Sequence, residues 1–330
     1  GVGHTCGVRT DGSVECWGLN EDGDGNYLGQ SDPPTGRFAS VSAGISHTCG
    51  VKTDGSVACW GSNYLGQATP PGAAEAPAPD ATSAETEREA LIALYNATDG
   101  PNWTNNDNWL SDRPLGQWYG VEIENGRLIG LALSDNGLNG DIPPVLGQLS
   151  DLEFLELDLN QLSGSIPPEI GRLSYLFILL LYGNDLSGEI PAELGQLSDL
   201  FWLDLSVNRL SGNIPPELGR LSYLEGLVLD NNQLSGEIPA ELGRLSNLEH
   251  LTLFGNNLTG AIPAELGQLA NLDYMDLSDN DLSGEIPAEL GQLSLLTGLY
   301  LSGNELSGCV PGTLGDVDEN DFDVLGLPSC

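Results

Sequence analysis

The chain has 330 residues, and 48 acidic residues against 10 basic ones give it a formal net charge of −38 at pH 7. A charge of this sign repels a phosphate backbone, so we expect no binding to nucleic acid. The sequence contains no uninterrupted apolar run long enough to span a bilayer, about 18 residues or more, and therefore predicts no membrane-spanning helix.

Residues 1–67 contain one segment twice. GHTCGVRTDGSVECWG at 3–18 returns as SHTCGVKTDGSVACWG at 46–61, which is a period of 43 residues. Each copy predicts a β-hairpin with an Asp-Gly turn, at Asp11-Gly12 and at Asp54-Gly55. The copies resemble the regulator-of-chromosome-condensation repeat in its cysteine-bearing form, which implies an incomplete β-propeller. Since fewer than two blades are covered, we expect this region to be part of a longer propeller.

Residues 68–84 are rich in Ala, Pro, Thr and Ser and show no apolar periodicity, so they predict a flexible linker. From Glu87 to Tyr95 the apolar residues are spaced for one face of a helix. Three tryptophans follow, at Trp103, Trp109 and Trp118. We expect residues 85–127 to cap the repeats that follow, with these tryptophans buried in the cap.

Residues 128–314 repeat a 24-residue frame, LxxLxLxxNxLxGxIPxxLGxL, eight times without an insertion or deletion. The LxLxx segment alternates apolar and variable positions and predicts a strand. Proline disfavours helix at the preceding residue, so Gly-x-Ile-Pro predicts a second extended segment. We expect the asparagines to form a buried ladder of hydrogen bonds between repeats; they are Asn136, Asn160, Asn184, Asn208, Asn232, Asn256, Asn280 and Asn304.

This frame resembles the plant-type leucine-rich repeat, which also occurs in secreted bacterial and algal proteins. The resemblance covers residues 85 to about 315 and implies a solenoid with parallel strands on a concave face, a short helical cap, and a second cap at 315–330. The cap tryptophans match the family's cap motif, but the cysteine pair of the plant version is missing here.

Six cysteines form three candidate disulfides. Cys6/Cys16 and Cys49/Cys59 each lie ten residues apart on opposite arms of a predicted hairpin, where cross-strand pairing is geometrically easy. Cys309 and Cys330 bracket the C-terminal cap, as in many secreted relatives of the repeat family. Three pairs favour an oxidising, extracellular or cell-surface location.

The variable positions beside the strand leucines should point outward on the concave face. Phe154, Ile178, Leu180, Tyr182 and Trp202 should form one apolar patch, bordered by Glu156, Asp158, Asp204 and Asp230. We expect a second cluster at His250, Phe254, Tyr274 and Tyr300. Exposed aromatic side chains surrounded by charge are typical of interaction sites, although they could instead only shield neighbouring strands.

The sequence offers little evidence of catalysis. It has no GxSxG, P-loop or HExxH motif, and His4 and His47 occupy one position of the 43-residue repeat. Asn20-x-Asp22-x-Asp24 and Asp316-x-Asp318-x-Asn320 begin like calcium loops but lack the closing glutamate, so we expect no metal and no cofactor. A catalytic pair of carboxylates, as in glycosidases, stays an open alternative, because no spacing in the sequence identifies which two residues would form it.

We therefore expect a monomeric, non-enzymatic binding module that engages a protein, peptide or glycan on the concave face. The alternatives are a carbohydrate-active or other hydrolytic enzyme, for which a carboxylate pair in a pocket would be the sign, and a structural adhesion protein or ice-contact surface. The last would predict a flat, regular array of Thr or Asn, whereas the concave columns are irregular.

Overall fold

A computed structural model describes residues 4–9, 13–18, 37–43, 47–53, 57–61, 81–315 and 317–330. The chain divides into two compact units, Gly1–Ala78 and Pro79–Cys330. Each unit is described by itself.

The described part of the first unit consists of antiparallel strands. His4–Val8 pairs with Val14–Gly18, and His47–Lys52 lies between Phe38–Ala43 and Val57–Gly61. These pairings confirm both predicted hairpins, although their Asp-Gly turns lie outside the described residues. Cys6 and Cys16 face each other across the first hairpin and form the predicted disulfide.

Cys49 and Cys59 occupy the same paired register in the second hairpin. Their side chains lie outside the described part of the structure, and so does the side chain of His47. The first candidate calcium loop, Asn20 to Asp24, also lies outside the described residues. The disulfide between Cys49 and Cys59 stays a prediction.

The second unit begins with a helix, Ala81–Ala97, whose first residues belong to the segment predicted as linker. Two short 3-10 helices follow, Gly100–Asn102 and Leu115–Gln117. Tyr95, Trp103 and Trp109 pack together with ring centroids 4.8–5.8 Å apart, and Trp118 lies 5.1 Å from Trp109. All four rings are buried, which confirms the structural role predicted for the tryptophans.

Ten strands form one sheet, which we call the concave sheet after the face predicted above. Its first two strands are antiparallel and the others are parallel. Each three-residue strand of this sheet buries its middle residue, as the alternation predicts, and the flanking residues are half-buried except Gly226 and Gly298, which are buried. The strands are Val121–Glu124, Arg127–Ala132, Phe154–Glu156, Ile178–Leu180, Trp202–Asp204, Gly226–Val228, His250–Thr252, Tyr274–Asp276, Gly298–Tyr300 and Glu319–Asn320.

A second set of strands, here called the lateral strands, follows the asparagines. The first two pair with each other and the other six form a second parallel sheet. They are Asn139–Asp141, Gln161–Ser163, Ser187–Gly188, Arg209–Gly212, Gln233–Glu237, Asn257–Gly260, Asp281–Glu285 and Glu305–Ser307.

Each repeat then makes a short 3-10 helix after its proline. Within this helix the glycine of the LG pair packs directly against the next repeat. A Cβ on Gly219 would lie 2.3 Å from the backbone oxygen of Glu241, so only glycine permits this approach. The helices are Pro144–Gln148, Pro168–Arg172, Ala192–Gln196, Pro216–Arg220, Ala240–Arg244, Ala264–Gln268, Ala288–Gln292 and Gly312–Leu314.

The frame leucines and isoleucines of the second unit form one continuous core. The predicted asparagine ladder runs along it. Asn208 donates from Nδ2 to the backbone oxygens of Leu181, Leu205 and Ser206 at 3.0–3.2 Å, and its Oδ1 accepts from the Leu186 amide at 3.0 Å. Each asparagine therefore joins its own repeat to the preceding one.

The C-terminal cap contains the helix Phe322–Leu325 and the predicted Cys309–Cys330 disulfide. Among the described helices, none has the length and apolar character needed to cross a membrane. Within the described ranges, no three His, Cys, Asp or Glu side chains are grouped so as to hold a metal ion. Asp316, in the second candidate calcium loop, is not described; Asn320 of that loop donates to the Val317 carbonyl instead.

Candidate functional site

The strands of the concave sheet bring the predicted site residues into three parallel columns. Each column holds the residues at one sequence position relative to the ladder asparagine of their repeat. Phe154, Ile178 and Trp202 lie six residues before it, Leu180 and Asp204 four residues before it, and Tyr182 two residues before it. The pairing sets Phe154 directly beside Ile178, and Ile178 directly beside Trp202. All ten predicted binding residues are half-buried, so each keeps part of its surface exposed.

Four rings cross the centre of the sheet as one row, the aromatic row, formed by Trp202, His250, Tyr274 and Tyr300. Successive ring centroids lie 5.8, 6.4 and 5.6 Å apart. The contact between Trp202 and His250 therefore joins the predicted apolar patch to the second predicted cluster. Trp202 reaches His250 because Gly226 lies between them: a Cβ on Gly226 would be 2.3 Å from the indole ring.

The other predicted residues surround this row. Leu180 pairs with Glu156 on one side and Asp204 on the other. Tyr182 and Phe254 lie in the column just beyond the strand ends, where Tyr182 is close enough to Asp158 to share a hydrogen bond with it. Burial, followed by the charge of Asp158 and that hydrogen bond, raises the pKa of the Tyr182 phenol.

Carboxylates form the polar part of the same face. Asp204 accepts from the amide and the hydroxyl of Ser206, and Asp276 accepts in the same way from Ser278. Burial raises the pKa of both aspartates, although these hydrogen bonds oppose the shift. Their carboxylates are held in place on an open sheet, not in an enclosed pocket.

No lysine or arginine occupies any position of the three columns, whereas Asp158, Asp204, Asp230 and Asp276 do. Two of them are largely withdrawn from water: Asp158 is 3% exposed and Asp230 8%. Asp158 accepts from the Ser134 hydroxyl at 2.6 Å, and Asp230 accepts from the Thr252 hydroxyl at 3.0 Å. The face is therefore aromatic and negative, which favours a cationic ligand.

The sequence-based prediction missed a second aromatic surface, just before the strands begin. Phe177 and Phe201 stack with centroids 4.7 Å apart and planes at 16°, and Phe177 also meets Phe154 edge-on at 6.5 Å. Tyr175 and Tyr223 are 58% and 62% exposed beside them. These residues lie seven and nine positions before the ladder asparagines. Inspecting those two columns for large apolar residues would have found them.

We expect the repeat unit to become more stable as the pH falls from neutrality toward the ordinary pKa of carboxyl groups, about 4. Burial raises the pKa of Asp204, Asp276 and Glu156, so between the unfolded and the folded pKa values the folded protein binds protons that the unfolded chain releases. The contribution of these groups to the free energy of unfolding is fully present below the pKa values that they have in the unfolded chain. It is lost as the pH rises through the pKa values that they have in the folded protein. Melting temperatures across this range should therefore increase on acidification.

Asp204→Asn should flatten this pH dependence, and Asp281→Asn, an exposed substitution on a lateral strand, should leave it unchanged. A melting temperature that falls as the pH is lowered over the same range would contradict the burial of these carboxylates.

Comparison with known families agrees with the two repeat patterns. The leucine-rich-repeat profile matches residues 151–173, 199–221, 223–245, 247–269, 271–293 and 295–317, and the regulator of chromosome condensation (RCC1) repeat profile matches 38–67.

Several solved plant proteins are similar to the chain. The plant peptide hormone receptor RGFR1 in complex with RGF2 is 42% identical over 54% of this chain and 28% of that one, with a TM-score of 0.53. The ectodomain of GASSHO1/SCHENGEN3 from Arabidopsis thaliana, in complex with CASPARIAN STRIP INTEGRITY FACTOR 2, is 37% identical over 72% of this chain and 32% of that one, with a TM-score of 0.61.

The chain thus spans about a third of the length of these two receptor structures. A plant ice-binding protein is 28% identical over 74% of this chain and 95% of that one, with a TM-score of 0.55. The two receptor complexes and the ice-binding protein share one solenoid fold, so the fold alone does not choose between their functions.

Proposed function

We propose that the concave sheet of this chain, a leucine-rich-repeat protein with an RCC1-type repeat region before its solenoid, binds a segment of a protein or peptide. The bound segment is extended and positively charged. The observation that carries this proposal is the aromatic row of Trp202, His250, Tyr274 and Tyr300 among carboxylates, in columns without lysine or arginine. Aromatic faces and carboxylates both attract cations, and large rings supply most of the energy in typical interfaces.

The comparisons support the recognition role at a coarser level. RGFR1 and GASSHO1/SCHENGEN3 were both solved with their ligands, and both carry this type of solenoid. The Cys6–Cys16 and Cys309–Cys330 disulfides favour an oxidising compartment, so we place the protein outside the cell or on its surface.

A hydrolytic function is the weaker candidate. Glu156, Asp204 and Asp276 are carboxylates with raised pKa on the concave sheet, and all three lie on its open face. Asp204 and Asp276 are also bound by the serine two residues on. General acid–base catalysis needs a carboxyl group that is free to exchange a proton with a held substrate. We therefore propose binding without catalysis.

An ice-contact surface has one observation in its favour, the regular hydroxyl column of the lateral strands at Ser163, Ser187, Ser211 and Ser235. Charged residues flank this column, with Asp185 and Arg209 on one side and others such as Glu189 and Glu237 on the opposite side. Charged side chains keep a surface hydrated and disfavour contact with a solid, so we rank ice binding below peptide recognition.

Screening an immobilised peptide library and a glycan array with the intact protein tests the proposal. We expect basic peptides to bind and neutral glycans not to bind. For a selected peptide, Trp202→Ala should weaken binding by about 2 kcal/mol or more, because centrally placed aromatic residues dominate interface energies. The melting temperature should change little, since the Trp202 side chain lies outside the leucine core.

Tyr119→Ala removes an exposed ring from the cap and is the matched control, expected to bind normally. Gly226→Ala should weaken binding by displacing the indole, and should have little further effect when Trp202 is already alanine. Normal peptide binding by Trp202→Ala, or capture of glycans alone, would overturn the proposal.

A further inference from the structure

An open groove of about 480 Å³ lies at the edge of the solenoid, before the strands of the concave sheet begin. We call it the edge groove. It is lined by Phe177, Asp199, Phe201, Tyr223, Glu225 and Asn247. None of these residues belongs to the three columns of the concave sheet, so the proposed peptide site does not account for them.

Aromatic side chains form the apolar wall of the edge groove. Phe177 and Phe201 stack on each other, yet Phe177 keeps 40% of its surface exposed and Tyr223 keeps 62%. The 24-residue frame does not require an aromatic residue here, because the corresponding positions of the later repeats are Glu249, Asp273 and Thr297. Large exposed rings at freely chosen positions favour contact with a partner.

The polar wall of the groove is negative. Asp199 and Glu225 both line it, and burial followed by the charge of Glu249 raises the pKa of Glu225. Within the described ranges, the salt bridges involve other carboxylates, those of Glu15, Asp151 and Asp185. In the described part of this unit, Asp199 and Glu225 therefore line the groove without a salt bridge to a basic side chain.

We propose that the edge groove binds the guanidinium group of an arginine side chain from a protein or peptide partner. A guanidinium is planar and weakly hydrated, so it stacks on aromatic faces and pairs with carboxylates through its forked donors. The edge groove offers both kinds of surface in one place. A lysine ammonium is more strongly hydrated and cannot stack, so it should bind less well.

The tripeptide acetyl-Gly-Arg-Gly-amide probes this site without the rest of a partner. Its binding to the full chain can be followed by saturation-transfer NMR and calorimetry at fixed ionic strength. The lysine and citrulline analogues should each bind at least about tenfold more weakly, since one lacks the planar fork and the other lacks the charge.

Glu225→Gln and Tyr223→Ala should weaken binding of the arginine tripeptide by about tenfold, a change of 1.4 kcal/mol. Their controls are Glu237→Gln, which removes a carboxylate from an exposed lateral strand, and Leu295→Ala, which truncates the residue in the Tyr223 column three repeats later. Both controls should bind as the natural chain does.

Equal binding of the citrulline and arginine tripeptides would overturn the proposal. So would an equal loss in Glu237→Gln and Glu225→Gln, which would show attraction to the overall charge of −38 instead of a site. Trp202→Ala should not affect the tripeptide, and an equal loss there would place the arginine on the concave sheet. The result thus separates this site from the proposed peptide site.

Discussion

Replacing Asn208 with alanine should lower the free energy of unfolding by about 3–5 kcal/mol, because each buried polar group left without a partner costs about 1–3 kcal/mol. The side chain satisfies three backbone oxygens and the Leu186 amide in the space between two repeats. Asn208 is only 9% exposed, so water cannot replace those bonds without opening the stack.

Urea denaturation of the natural chain and of Asn208→Ala measures this loss. Asn213→Ala is the matched control, because Asn213 lies in the same repeat but is exposed. We expect its free energy of unfolding to change by no more than about 0.5 kcal/mol. Equal effects of the two substitutions would mean that the asparagine ladder contributes no more than a surface amide.

Gly219→Ala should lower the free energy of unfolding by about 3 kcal/mol or more, because the added methyl group meets rigid backbone. This loss is at the upper end of the range for overpacked substitutions. Its Cβ would lie 2.3 Å from the oxygen and 2.7 Å from the carbonyl carbon of Glu241 in the next repeat. The two repeats would have to separate, and that would also strain the hydrogen bonds on either side.

Gly315→Ala tests whether the effect comes from stacking or from the glycine itself. Gly315 has the same place in the last repeat, where the nearest atom to an added Cβ is the oxygen of Gly312 at 3.2 Å, within its own turn. Its melting temperature should stay close to that of the natural chain. A similar loss in both variants would contradict the stacking explanation.

The repeating frame made the solenoid predictable to the level of single hydrogen bonds. Asn208 occurs at a fixed place after a strand, and its short amide has few other uses there. The reason for Gly219 was less visible, because its backbone dihedrals suit any residue and only the contact with Glu241 requires glycine. Glycines of this kind show their role only once neighbouring repeats are stacked.

The candidate site was less predictable than the fold. The register put Trp202 and His250 two strands apart, and it did not show that Gly226 leaves room for the indole to lean across. The edge groove was missed for a different reason. Phe177 and Phe201 precede the strands, where alternation no longer indicates which way a side chain points.

The asparagine hydrogen bonds have a consequence for how such a chain can change its length. The side chain of Asn208 bonds only its own repeat and the one before it, and the following asparagines make equivalent side-chain bonds at the same 24-residue interval. If one whole repeat were lost or duplicated, the asparagine at the new junction would therefore find equivalent backbone carbonyl and amide groups in its new neighbouring repeat. Copy number can vary by recombination between neighbouring repeats, while the junctions themselves need no new adaptation.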